Sequence, residues 1–374
     1  MHRKTVRLFL CGDVMIGRGV DQIMAQPCEP ALHERAIHSA VGYVELAERA
    51  HGPIPRRVAP SHIWGAALEE LRQSRPDARI VNLETSITRS ESYVRKGINY
   101  RVSPENADCL VAAGIDCCTL ANNHVLDWGV AGLLDTLTVL EQLHIKYAGA
   151  GHDRGEACAP AVLDLAHKGR VLVFSFASTT SGTPFSWAAT STAPGVNLLA
   201  DLSEASAAVV AEQIATARQP GDVSVASVHW GPNWGYEIPD DARSFAHQLI
   251  ERAGVSVVHG HSSHHPKAIE IYRNRLILHG CGDFVNDYEG IAGYEEFRDD
   301  LSLMYLVDID AKRGDLAKLE MVPLRIRRFR LGRPSARESA WTCRTLDRES
   351  RKLGTRLAMT PGGRLTVSLA KRAD

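Results

Sequence analysis

Short runs rich in Val, Ile and Leu recur along the chain, and each ends in a polar cluster. They lie at 6–11, 78–83, 115–121, 171–177, 223–229, 255–259 and 276–280, and their length and β-branched content predict buried strands. Between several of them, apolar residues recur with helical spacing at 62–74, 104–113, 128–143, 202–217 and 240–253. This alternation predicts a layered α/β (α+β) fold with helices flanking sheets.

Other stretches break the pattern. Residues 20–60 show no clear period and read as an irregular excursion, and 178–200 form a Ser/Thr/Pro/Gly-rich loop containing Phe185 and Trp187. Beyond about 310 the character changes. D-A-K-R-G-D-L-A-K-L-E reads as a hairpin and R-I-R-R-F-R as a basic strand. An amphipathic helix then runs from an N-cap at Ser335 to a stop at Gly354. The expected organisation is one catalytic domain over 1–310 with a small strand-and-helix appendage over 311–374 packed on it. No internal repeat is evident.

Composition narrows the function classes. A formal net charge of -1 over 374 residues supplies no general field for gathering nucleic acid. The N-terminal apolar run is too short for a signal segment, and no stretch approaches the roughly 18 apolar residues of a membrane span. A cytoplasmic protein without an anchor is expected. The eight cysteines lack paired zinc-type spacing and are expected to be reduced, with Cys117 and Cys118 as core residues. Oligomeric state leaves no trace in the sequence.

The polar clusters fall at the carboxyl ends of the predicted strands, where ligands gather in open α/β sheets. They are G-D-V-M, N-L-E-T, A-N-N-H, H-W-G-P and H-G-H-S-S-H. Asp13 after the first strand suits a metal ligand, a helix N-cap or a turn, and Glu84 stands in the same relation to its own strand. Asn122, Asn123 and His124 read as site residues or as turn chemistry. Histidine distribution shifts the balance: seven of the sixteen lie between 229 and 279, where an even spread would put only a couple. Imidazoles with hard carboxylate oxygens suit Zn, Mn or Fe. One Asp, one Glu, one Asn and three His approach the ligand set of two divalent ions sharing a carboxylate. Such a pair makes hydroxide available at neutral pH and clamps both oxygens of a displacement.

Taken in order, G-D-V-M, N-L-E, A-N-N-H-x-x-D-x-G, H-W-G and G-H-x-x-H resemble the poly-γ-glutamate biosynthesis (capsule biosynthesis, CapA) family, a branch of the calcineurin-like metallophosphoesterase superfamily. The resemblance runs from about 6 to about 310. It implies a four-layer αββα sandwich and a dinuclear metal centre in which Asp13 holds the first ion and Glu84 bridges. Asn123, His229 and His261 would hold the second ion, and His264 would return to the first. His124 would be the catalytic acid, accompanied by Asp127 of the same motif, with Asn122 and His259 orienting the ligands; Asp283, in G-C-G-D-F, reads either as a partner orienting a ligand His or as a structural Asp capping a turn.

Departures from the superfamily pattern are local. Met15 stands where its first motif has a His, Glu84 where the bridging residue is usually Asp, and G-C-G-D-F where G-N-F is more usual. The segment Y-V-R-K-G-I-N-Y-R reads either as a solvated charged hairpin or as a lining of the rim. In the second reading Lys96, Asn99 and Arg101, with Arg18 and Trp230, form a substrate-binding set for an anionic small molecule or polymer. The implied reaction is hydrolysis of a phosphoester or a γ-glutamyl amide. The alternative is a non-catalytic accessory in the biosynthesis or export of poly-γ-glutamate or a related polymer.

Overall fold

The β-branched runs form strands, two of them with the expected bounds, Ala78–Leu83 and Val223–His229. In the computed structural model, which describes residues 5–368, most strands gather into two large mixed sheets. The larger runs, in spatial order, through 357–359, 365–367, 316–326, 301–310, 5–14, 78–83, 117–119 and 146–148. Thr5–Val14 is parallel to 78–83 on one side and antiparallel to 301–310 on the other. The smaller sheet runs 269–272, 275–278, 257–261, 223–229, 170–177 and 161–164, parallel through its middle and antiparallel at both edges.

Side chains alternate between the two faces of each strand, and both faces are buried. On the larger sheet Leu8, Leu10 and Ile80 share a cluster with Val173, Val225 and Val257 of the smaller one. Phe9, Val81 and Cys118 pack the opposite way, with Leu71, Leu133 and Leu137 from helices. The outer face of the smaller sheet puts Phe174, Ala226 and Val258 against Val210, Ile214, Phe245 and Leu249 of the helices Glu204–Ala217 and Asp240–Ala253. All eight cysteines are free, and Cys117 and Cys118 are core residues.

The C-terminal segment extends the larger sheet through 316–326, 357–359 and 365–367. Its helix, Ala336–Arg351, starts at a capping box between Ser335 and Glu338. This helix also blunts an edge of the smaller sheet, where Ile269 N–H donates to Ser350 Oγ at 2.9 Å.

Three expectations are corrected. Residues 20–60 are partly helical, at Arg18–Ile23 and Val41–His51. In R-I-R-R-F-R only Arg325 and Ile326 belong to a strand. The chain then turns with positive φ at Arg328 and Phe329, because the buried Glu289 carboxylate accepts both of their N–H groups at 2.7 Å. The segment 93–101 forms no hairpin and joins a short two-stranded pairing only at Arg101.

Candidate metal centre

Parallel pairing brings the strand ends to one place. His229 lies opposite His261 in register, and Asp13 lies opposite both Asn82 and Asp283. The last pairing joins two Cys-Gly-Asp tripeptides, 11–13 and 281–283, side by side. Glycine is required there, since a Cβ on Gly12 would lie 1.5 Å from the Gly282 carbonyl oxygen. Two carboxylates thereby enter the site from adjacent strands.

Two groups of buried side chains could each hold an ion, with one ligand atom from every member and all atoms within 4.8 Å of one another. One is Asp13, His229 and His261; the other is Asp13, His264 and Asp283. The shared carboxylate is that of Asp13. Asn82 Nδ2 donates to its Oδ1 at 2.7 Å, and the Ser262 N–H donates to its Oδ2 at 3.1 Å. Ser262 holds a φ of 103°, a strained value that places this N–H on the carboxylate. His261 Nε2 is engaged by Ser227 Oγ at 2.7 Å, which leaves Nδ1 facing His229 Nδ1 at 2.8 Å and Asp13 at 3.8 Å. His264 Nδ1 lies 3.0 Å from Asp283 Oδ1, and Asn286 donates to the other oxygen at 2.8 Å.

Glu84 and Asn123 stand next to the first group. Glu84 Oε1 is 3.6 Å and Asn123 Oδ1 3.1 Å from His229 Nε2. Met15 is buried and accepts a weak contact from the Tyr288 hydroxyl at 3.6 Å, so the Met15 position contributes no nitrogen. Asn122 fixes the loop, since its Nδ2 holds Asn82 Oδ1 and the Leu83 carbonyl while its Oδ1 accepts the His124 and Val125 N–H groups. His259 supports Ser227 from behind: its Nε2 faces the Cys11 carbonyl at 2.7 Å and its Nδ1 lies 3.2 Å from Ser227 Oγ.

The electrostatics ask for a cation. Burial, then the neighbouring Asp283, pushes the Asp13 carboxyl up to about 7. Burial and Asp13 push Glu84 well above its ordinary range, and Glu84 Oε2 is buried with no hydrogen-bond partner among the described residues. Burial and the neighbouring imidazoles push His229 and His261 well below theirs. Neutral imidazoles beside desolvated carboxyls whose charge lacks a counter-ion form a donor set that divalent ions fit.

His124 faces the same space. Its Nδ1–H donates to Asp127 Oδ2 at 2.7 Å, and its Nε2 points to Glu84 Oε1 at 3.7 Å. Lys96 Nζ pairs with the other Asp127 oxygen at 2.7 Å and also holds the Asn123 carbonyl. Burial, partly offset by Asp127, pushes His124 down to about 4.

Of the five residues expected to bind substrate, Lys96 alone reaches this space. The Arg18 guanidinium is buried, makes two hydrogen bonds to Asp287, pairs with Glu34 and lies over the Tyr43 and Tyr100 rings. Arg101 is consumed by Glu91, two backbone carbonyls and the face of Trp128. Asn99 donates to the Val94 and Asp127 carbonyls. Trp230 packs into the helix-side core against Phe245 and donates to the His279 carbonyl. Aromatics that reach the site include Trp234, tilted against His264 at 5.3 Å and stacked on Tyr294 at 3.9 Å, Tyr288, edge-on to His264 at 5.1 Å, and Tyr100, edge-on to His124 at 4.5 Å. Trp234 could have been found three residues beyond the H-W-G motif. The signal for Asp283 was the repeated C-G-D.

The sequence pattern of the family described as bacterial capsule synthesis protein PGA_cap matches residues 7–288. The chain belongs to that family. It is 46% identical over 364 residues to a probable polyglutamine synthesis accessory protein of Mycobacterium tuberculosis, covering 97% of this chain and 96% of that protein. It is 26% identical to the PGA biosynthesis protein CapA of Bacillus subtilis, over 84% of this chain and 70% of that one. Its identity to the capsule biosynthesis protein CapA of Bacillus anthracis is 26%, over 62% of this chain and 53% of that one. The PGA_cap match spans every residue of the two candidate metal groups. Among the described residues no helix of this PGA_cap protein is long and apolar enough to cross a membrane.

Proposed function

We propose that the protein is a metal-dependent hydrolase of poly-glutamate metabolism, cleaving an anionic phosphoester or γ-glutamyl amide. The observation that carries this reading is the pair of buried ligand groups sharing Asp13, with the His124–Asp127 pair facing the same space. Asp13, His229 and His261, with Asn123 beside them, would hold one divalent ion; Asp13, His264 and Asp283 would hold the other, and Glu84 would complete the set. Mn, Zn and Fe suit these donors. Ions bound there supply Lewis acidity and acidify water toward neutral pH. The architecture we assign is the four-layer αββα sandwich of the metallophosphoesterases, with 1–310 as the catalytic body and 311–374 packed on it.

The protein's own groups would move the proton. Asp127 fixes the His124 Nδ1–H, so Nε2 is the nitrogen that exchanges a proton with the reacting group. Lys96 pairs with Asp127 and brings positive charge to the edge of the site, where an anionic substrate would approach. Elemental analysis of the purified chain, followed by chelator-reversible assays on an aryl phosphodiester, an aryl phosphomonoester and a γ-glutamyl anilide, tests this. Metal with turnover of one class supports the reading and names the bond. No bound metal, and no turnover after Mn or Zn is restored, defeats it.

The printed name of the M. tuberculosis relative favours a second reading, a non-catalytic accessory that binds the polymer. Retention of poly-glutamate by metal-depleted protein, with no turnover by loaded protein, would select it.

A further inference from the structure

Behind the metal centre lies a separate cavity of about 230 Å³. Its walls include Trp230, Thr180, Leu202, Pro239, Ala242 and Lys267. Lys267 follows the histidine cluster in sequence and is 4% exposed; its backbone N–H donates to the Gly280 carbonyl, while its Nζ has no hydrogen bond or ion pair among the described residues. The acidic groups around it are Glu237, which acts on it only at longer range, and Asp241, on another wall of the cavity. Asp241 Oδ1 already accepts the Ala242 N–H at 2.7 Å. His279, the remaining titratable group at the wall, spends Nε2 on Glu270 at 3.1 Å and leaves its buried Nδ1 without a partner among the described residues.

An ammonium that meets the cavity with no counter-charge in contact favours an anionic occupant there. Burial, opposed by Glu237, pushes Lys267 down to about 8, which still leaves it charged at neutral pH. The 14-residue helix Asp240–Ala253 begins here, with its N-cap Pro239 and its first-turn residues Asp241 and Ala242 in the cavity wall; Asp240 and Asp241 already answer its N-terminal dipole, which leaves Lys267 as the cationic group of the cavity. The Trp230 face and the aliphatic walls supply an apolar body, so the cavity pairs one cationic anchor with a small apolar volume.

We propose that this cavity binds the carboxylate of an amino-acid-sized ligand, with Lys267 as its counter-charge and Asp241 available to an ammonium on the same molecule. The site is distinct from the metal centre and independent of its chemistry. It is also joined to it through the chain: Trp230 and Gly231 follow His229 directly, and Ser262, which holds Asp13, donates to the Gly231 carbonyl at 3.3 Å.

Calorimetric titration of the metal-depleted full chain with L-glutamate, glutarate and inorganic phosphate tests the proposal. Glutamate and glutarate should bind, and Lys267→Met should weaken both at least tenfold while raising the melting temperature, because it removes an unpaired buried charge. Asp241→Asn should erase any preference for glutamate over glutarate. Ala242→Leu, which fills the cavity from the helix side, should reduce binding and serves if Lys267→Met fails to fold. Carboxylate affinity unchanged in Lys267→Met or Ala242→Leu, or heat from phosphate alone, would overturn the assignment. So would a lower melting temperature for Lys267→Met, which would mark Lys267 as a structural partner of Glu237.

Discussion

Asp13 and Asp283 face each other across the parallel pairing of two Cys-Gly-Asp tripeptides, and each is 1% exposed or less. Two carboxylates so placed repel unless a cation lies between them. Asp283→Asn removes one charge and keeps the shape. It should lower the affinity for one of two bound ions by about 10–100-fold and spare the other. Titration of metal-depleted protein with Mn, read by calorimetry, checks the split.

His124 and Asp127 make a different demand. In Asp127→Asn the amide can donate to Nδ1, which moves the imidazole proton to Nε2 and removes the carboxylate that supports proton exchange there. Turnover should fall by about 10²–10⁴-fold with metal content unchanged. Parallel elemental analysis and rate measurement separate that outcome from simple loss of metal.

Arg18 should behave as a structural residue. Arg18→Met leaves Asp287 and Glu34 as buried charges without their partner and should cost about 3–5 kcal/mol in urea unfolding. An unchanged midpoint with a raised KM would instead restore Arg18 to the substrate.

Acid should destabilise the metal-free protein. Burial pushes His124, His259 and His265 down to about 4, and His229 and His261 well below their usual range. The unfolded chain takes up these protons near pH ~6.5 and the folded chain refuses them, so their contribution is complete above that pH and is lost toward pH ~4. Burial raises Asp13 and Asp299 to about 7 and Glu84 further, which works in the opposite sense across the same window. Burial lowers His62 and His279 too, while Asp283 raises His264 against its own burial; seven imidazoles then stand against Asp13, Asp299, Glu84 and His264, and the melting temperature should fall between pH ~7.5 and ~5. Differential scanning calorimetry across that range checks the sign.

Much of this was legible because strand ends announce themselves: a β-branched run stops and His229 or His261 follows. Those positions depend on local pattern and parallel register alone. Arg18, Arg101 and Trp230 read as ligand contacts because a charged or aromatic residue stands near a motif, whereas each is engaged by other protein groups. Their direction is set by distant partners, Asp287 for Arg18 and Phe245 for Trp230, which no spacing reveals. Asp283 was visible as a departure, but its pairing with Asp13 required the fold. Lys267 was hidden for the opposite reason, since nothing local distinguishes a buried lysine from a solvated one.

The strand that delivers Asp13 runs through the middle of the larger sheet, with Thr5 in register with Asp310. On the ribosome this strand emerges long before its antiparallel neighbour 301–310. The carboxylate common to both ion groups is therefore synthesised well before the strand that closes beside it, and is held in place late. Such long-range closure slows folding and exposes an unpaired edge meanwhile. Nascent chains stopped before 301 should thus be prone to aggregation and unable to assemble either ion group.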